Sequence, residues 1–342
     1  MPTEAPVTRA TLPRQRSITA WIPATRKKEK QAPSAALMDA QGTPLALGID
    51  VKGPPIEEIA AEVPAVGGYA VFTGPELWGL VSQTCNGRSQ SPVNIVTRKV
   101  LPDERLTPFH FTGYKETFYG SLINNGHSVQ LNLPSSIQIK GGNLVDEYKA
   151  IQFHLHWGKD GGLGSEHTID GEKFPMEMHI VHIKEEYDSL AEASKDSTGV
   201  AVLGFFFQES ESANEKYDHL ISALKYISQP KTNVTLVGVS LDMFIPSEIN
   251  RTKYFRYKGS LTTPDCAEAV VWTLFESTIP LSRNQLTAFS QLLFYDGQKM
   301  VNNYRPVQPL NGREVYCSSG QLALVSCVLF TKSVLLSSAS FI

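Results

Sequence analysis

The chain of 342 residues lacks most of the patterns that announce a function at once. It has no Walker A loop and no Rossmann glycine fingerprint in the right context, so nucleotide-phosphate binding by those loops is excluded. It has no surplus of one charge: a net charge of −3 offers no basic face for nucleic acid. It has only four cysteines, Cys85, Cys266, Cys317 and Cys327, and no two form a C-x-x-C pair. That argues against a thiolate zinc site. Its apolar runs are short for a membrane span. The most apolar stretch, 322–330, is interrupted by Ser326, and Lys332 separates it from Val334-Leu335-Leu336. No basic-then-apolar leader follows Met1, no internal repeat is visible, and helical periodicity is scarce.

What remains is an ordinary globular composition, with 42% hydrophobic and 19% charged residues. It is unevenly spread. Residues 1–66 are rich in Pro, Ala, Thr and charge, with a basic cluster at Arg26-Lys27-Lys28-Glu29-Lys30. Such a segment buries too little apolar surface to fold and reads as a disordered N-terminal arm. From Gly67 aromatics become frequent, and short apolar runs alternate with turn residues. Strands are expected at 118–123, 128–133, 137–140, 148–157, 177–183, 200–207, 254–257 and 269–275. Turn signals separate them at Asn124-Asn125-Gly126, Gly141-Gly142-Asn143, Lys159-Asp160-Gly161-Gly162 and Asp296-Gly297. Two helices are expected. One covers 214–227, with Tyr217, Leu220, Ile221, Leu224 and Ile227 at helical spacing; the other covers 283–293 after an N-cap at Ser282. The fold class is therefore mainly β (α+β): a large, twisted, mostly antiparallel sheet of about ten strands with short surface helices. Two sequons, Asn233-Val234-Thr235 and Asn250-Arg251-Thr252, fit a glycosylated, oxidising compartment.

The chemistry concentrates in Ile151-Gln152-Phe153-His154-Leu155-His156-Trp157. On a strand, residues i and i+2 share a face, so His154 and His156 point the same way, about 6–7 Å apart. Met176-Glu177-Met178-His179-Ile180-Val181-His182 can supply a third imidazole, His179. Three histidines with a fourth position open is a catalytic zinc arrangement. An isolated His-x-His is more often a chance or core pair than a metal site. Three features add weight to the metal. Gln152 and Glu177 lie two residues before His154 and His179, in phase to receive their outer N–H groups. Ser165-Glu166-His167-Thr168 is a polar patch between the strands. Gly259-Ser260-Leu261-Thr262-Thr263-Pro264 puts two hydroxyls after an apolar residue at a turn.

Taken together, these residues resemble the α-class carbonic anhydrases, most closely their membrane-associated, extracellular branch. The resemblance is carried by Gly74-Pro75-Glu76-Leu77-Trp78, Gln90-Ser91-Pro92-Val93-Asn94-Ile95, Asn124-Asn125-Gly126-His127, Gln152 to Gly158, Gly164-Ser165-Glu166-His167-Thr168, Glu177 to His182, Val202-Leu203-Gly204, Gly259 to Pro264 and Asn303-Tyr304-Arg305-Pro306. They run in the family's order from about residue 67 to 315. The resemblance implies a domain over 67–316 and reversible hydration of carbon dioxide to bicarbonate and a proton, by attack of a zinc-bound hydroxide. It makes His154, His156 and His179 the Zn2+ ligands, with Gln152, Glu177 and the Asn303 carbonyl orienting them. Thr262 would pass its proton to Glu166 and so aim the hydroxide. Thr263 would help position bicarbonate. Val181, Val202, Leu261, Val270 and Trp272 would wall the pocket for a nonpolar gas. His127 would shuttle the proton, its side-chain type suiting that task near neutral pH, with Tyr69 ordering the water path. An Asn-Asn-Gly-His turn also reads as a plain β-turn.

The resemblance also pairs Cys85 with Cys266 in a disulfide. It reads the tail 317–342 as a GPI-attachment signal, with small residues Cys317-Ser318-Ser319-Gly320 before the apolar end. The polar spacer is nearly missing. The implied location is the outer face of the plasma membrane, or secretion. The implied partners are carbon dioxide, bicarbonate, water and a membrane, with no nucleic acid. Departures are mild: Leu155 and Tyr304 stand where Phe and Trp are common. His167 reads as structural and His182 is out of phase with His179, while His110 and His219 carry no signal. The alternative function is a catalytically silent binding or adhesion ectodomain. Its mark would be a missing ligand histidine, and all three are present.

Overall fold

The computed structural model describes residues 74–318. The arm 1–66, Tyr69 and the tail beyond Ser318 lie outside the described residues. Among the described residues the strands are β1 Asn94–Ile95, β2 Leu101–Asp103, β3 Phe109–Thr112, β4 Phe118–Asn124, β5 Val129–Asn132, β6 Gln138–Gly141, β7 Tyr148–Trp157, β8 Thr168–Ile169, β9 Met176–Lys184, β10 Val200–Ser210, β11 Thr232–Val239, β12 Tyr254–Gly259, β13 Val270–Ser282 and β14 Tyr316–Ser318. Twelve form one sheet whose main path runs β11-β4-β5-β7-β9-β10-β13-β12-β14-β2, with β6 pairing β7 and β3 pairing β6. Only β10–β13 and β14–β2 are parallel in it. β1 and β8 form a small parallel ladder of their own.

The central strands are apolar on both faces because both faces are covered. On β9 the residues Met176, Met178 and Ile180 join Phe153, Leu155, Trp157, Leu203 and Phe205 in the larger core cluster. The alternate residues Val181 and Ile183 join Val202, Phe206, Trp272 and Leu274 in the second cluster, on the opposite face. Polar residues in phase with the second set must share its face. Those residues are His154 and His156 on β7 and Glu177 and His179 on β9.

One register row crosses the whole path. Asn233 opposes Ile123, Ile123 opposes Gln130, Gln130 opposes His154, and His154 opposes His179. The row continues through Gly204, Leu274, Phe255, Cys317 and Pro102. A bulge at Ile151 sets its phase: Ala150 opposes His182 while Gln152 opposes Val181. The extra residue turns Gln152, His154 and His156 onto the second face, which periodicity alone does not reveal.

Expected and observed elements differ where chain-local signals are weak. The helix expected over 214–227 is a 3-10 turn, the α-helix Asp218–Ala223 and a second 3-10 turn, Leu224–Tyr226. The one expected over 283–293 is α-helical only at Arg283–Ala288, and Ser282 caps it in a capping box with Gln285. β11 and the shorter strands β1, β2, β3, β8 and β14 were not among the expected set. The sheet also extends through Ser318, with Cys317 and Ser318 buried, so the boundary expected at 316 falls inside β14.

Candidate metal centre

His154 and His179 meet as a directly opposed pair across β7 and β9, and His156 lies two residues further along the same face. Ring centroids are 5.0 Å apart for His154–His156, 5.2 Å for His154–His179 and 4.8 Å for His156–His179. One ring nitrogen from each lies within 4.8 Å of the others. The outer nitrogens settle which ones. His154 Nδ1 is 2.9 Å from Gln152 Oε1, His156 Nδ1 is 2.7 Å from the Asn303 carbonyl, and His179 Nε2 is 2.7 Å from Glu177 Oε1. All three partners are acceptors, so each outer nitrogen carries the proton. The lone pairs of His154 Nε2, His156 Nε2 and His179 Nδ1 are left to converge.

Two buried atoms at this point have no hydrogen-bond partner: His156 Nε2 and Glu166 Oε2. They stand 3.5 Å apart, and Glu166 Oε2 is 3.9 Å from His179 Nδ1. Buried polar atoms without partners are costly, and a cation between the imidazoles would satisfy the lone pair. Three neutral imidazoles fit Zn2+. Burial, with help from His156 and His179, holds the His154 pKa well below the ordinary value; burial also lowers that of His156 against the pull of Glu166. Both are thereby kept in the neutral, metal-binding form.

A second cluster, His167, Glu177 and His179, also has metal-ligand spacing. It is already satisfied internally. Glu177 Oε1 accepts from His167 Nδ1 and His179 Nε2, both at 2.7 Å, and Oε2 accepts from the amides of Glu166 and His167, both at 2.8 Å. Burial works to raise the Glu177 pKa, but His167, His179 and these bonds outweigh it and bring it well below the ordinary value. His167 Nε2 lies 2.6 Å from the Tyr257 hydroxyl, so the ring braces the site rather than opening to it.

Glu166 Oε1 accepts from the Arg305 amide at 2.7 Å. Thr262 is buried, whereas Thr263 is exposed, on the loop between β12 and β13. Among the described residues no hydrogen bond joins Thr262 to Glu166. Val181, Val202, Val270 and Trp272 lie in the second cluster, with Leu261 packed against it. The Trp272 ring sits 4.7 Å from that of His179. Gly204, opposite His179, leaves room for Leu274: a Cβ there would meet Leu274 Cδ2 at 2.4 Å.

His127 is exposed at the end of the β4–β5 turn. Asn124 Oδ1 accepts from the Gly126 amide, and Asn125 Oδ1 accepts from the amides of His127 and Ser128. Gly126 has φ 89°, which suits glycine. Desolvation lowers the His127 pKa.

Cys85 and Cys266 are joined in a disulfide. Sequence reasoning missed the group that ties it to Glu166. Arg305 is buried; its Nη2 donates to the Cys85 carbonyl, and its Nη1 donates to Gln90 Oε1 and the Ser91 carbonyl. Lys173 was missed as well: its Nζ donates to the Ser165 carbonyl and lies 3.3 Å from the Tyr304 ring centre. Their partners are distant in sequence, so no local pattern marks them.

Residues 73–319 match the family model of eukaryotic-type carbonic anhydrase. The chain is 44% identical over 254 residues to carbonic anhydrase 4 of Oryctolagus cuniculus, covering 73% of this chain and 82% of that one. It is 42% identical over 262 residues to carbonic anhydrase 4 of Rattus norvegicus, covering 76% and 84%. To carbonic anhydrase 12 of Homo sapiens it is 35% identical over 296 residues, covering 83% and 82%.

Proposed function

Because the chain belongs to the eukaryotic-type carbonic anhydrases, enzymes that hydrate carbon dioxide, we propose that it does so at the His154–His156–His179 cluster. His154 Nε2, His156 Nε2 and His179 Nδ1 would hold Zn2+. Bound there, the ion supplies a water whose pKa falls from 15.7 to about 7 and so a nucleophile at neutral pH. The chain's own residues do the rest. Thr262 would donate a hydrogen bond from its hydroxyl to Glu166 Oε2, which has no other partner, and so present only lone pairs to the pocket, which orients the attacking oxygen. Val181, Val202, Leu261, Val270 and Trp272 hold carbon dioxide against an apolar wall, and Thr263 receives bicarbonate. His127 takes the released proton to bulk solvent, with Tyr69 on the water path.

The observation that carries this reading is the set of outer hydrogen bonds that fixes all three imidazole tautomers with their free nitrogens converging. No observation favours the silent binding module. The test is stopped-flow carbon dioxide hydration on the purified full chain with its zinc content measured. About one equivalent of zinc with fast hydration is expected, abolished by a chelator and restored by added Zn2+. One equivalent with no hydration overturns the reading.

We also infer an extracellular, membrane-attached location. The disulfide supports an oxidising compartment. Among the described residues no helix is long and apolar enough to cross a membrane. Cys317 and Ser318 are buried in the sheet, so lipid attachment belongs beyond Ser318. Release from cell surfaces by a phosphatidylinositol-specific phospholipase checks it; retention argues for another anchor.

A further inference from the structure

β11 is the end strand of the sheet, paired on one side to β4 and on its other side to nothing among the described residues. Its sequence, Thr232-Asn233-Val234-Thr235-Leu236-Val237-Gly238-Val239, contains no charge and no proline. Long uncharged edge strands rich in β-branched residues invite edge-to-edge pairing, and proteins usually guard them with charges, proline or a bulge. Here a bulge comes only at Gly238, near the strand's end. The face beside this edge is sticky too. Tyr119 is 77% exposed, Val237 is 57% exposed, and the two are directly opposed across β4 and β11.

A guard is written into the same strand. Asn233 and Thr235 are both exposed, on the face away from the core that takes Val234 and Leu236. With Val234 between them they form an acceptor sequon for N-linked sugar. We propose that Asn233 carries an N-linked glycan and that this glycan shields the open β11 edge and the Tyr119–Val237 patch. The donor is a polyprenyl-diphosphate-linked oligosaccharide. Asn233 Nδ2 bonds to its anomeric carbon, the carbon–oxygen bond to the diphosphate breaks, the lipid diphosphate leaves with the electron pair, and the amide proton passes to base. The sugar is bulky and solvated, so a strand bearing it cannot accept a neighbour. The register row fixes its place: Asn233 shares the face of His154 three strands away, about 14 Å at normal strand spacing. The glycan therefore rises from the outer lip of the metal-site face without touching the imidazoles.

The test uses the full chain, exported from animal cells behind a cleavable leader. Peptide mapping after treatment with peptide N-glycosidase should read position 233 as Asp. An unmodified Asn233 in exported protein overturns the proposal. N233Q and T235A should both lose the modification and show concentration-dependent self-association where wild type sediments as a monomer. Adding V237K to N233Q should restore the monomer. Trimming the glycan from folded wild-type protein should reproduce the association, so the reading does not depend on a variant folding. N233Q or trimmed protein as monomeric as wild type overturns the shielding role. Hydration per zinc should be unchanged in N233Q, and N250Q, at the other sequon, should not alter association.

Discussion

His127, the residue proposed to carry the proton, makes few polar contacts. It sits exposed on a turn whose asparagines hold its backbone, and no hydrogen bond fixes its ring among the described residues. Its ring neighbour is Tyr295, 5.8 Å away between centroids. Desolvation pushes its pKa down from the ordinary histidine value. His127→Ala should slow turnover in dilute buffer by about tenfold or more, within the usual range for a lost acid–base group, with recovery on adding imidazole. Absence of rescue would remove the residue from the proton path. Arg305 is the opposite case, buried and heavily bonded. Arg305→Ala leaves its amide on Glu166 but strips three hydrogen bonds that anchor that segment to Gln90, Ser91 and Cys85. A loss of about 2–4 kcal/mol in unfolding free energy is expected, with kcat reduced more than KM is raised. Denaturant titration and hydration kinetics check both. Nothing in Asn303-Tyr304-Arg305-Pro306 alone suggests this role, because its meaning comes from groups brought together by folding.

Among the elements, β9 carries the most. One of its faces supplies Glu177 and His179 to the site, and the other supplies the core. His182, one step out of phase, lies on the core side. Its Nδ1 donates to the Ala201 carbonyl and its Nε2 accepts from Tyr114. Burial drives its pKa down to about 4, against the bonds to backbone carbonyls that pull it up. The folded state thus keeps it neutral where the unfolded chain, with a pKa near 6.5, takes up a proton. Its contribution is complete above pH 6.5 and is lost as pH falls toward 4, on the order of 3 kcal/mol across that window. Replacing it by Phe should flatten the acid limb of the stability profile in that window; an unchanged limb would assign it to other groups. The bounds of β7 and the polar phase of β9 are legible in the sequence, because in-phase polar residues stand out within apolar runs. The bulge at Ile151 is not, since an extra residue leaves no compositional mark. β11 escapes for a related reason: an edge strand has one weakly constrained face, and its alternation is blurred.

Across the whole molecule, the disulfide spans 181 residues, from the segment before β1 to the loop bearing Thr262. Closing so long a loop is worth about 5 kcal/mol in the chain-entropy model. Reduction should lower the melting temperature by on the order of 10 °C. An unchanged melting temperature with both thiols titratable would mean the link contributes nothing. The register row from Asn233 to Pro102 has a further consequence, for inheritance rather than energetics. Every functional position in it depends on parity: a single codon gained or lost within β5, β7, β9 or β10 flips the remainder of that strand to the opposite face. Substitutions in these strands can be absorbed one at a time, but length changes cannot. Descendants of this sequence should therefore vary in length only at the turns, and a one-codon insertion between His154 and His179 should be tolerated at the exposed 170–172 turn, where a side chain on Gly171 would meet nothing, while abolishing zinc binding inside either strand.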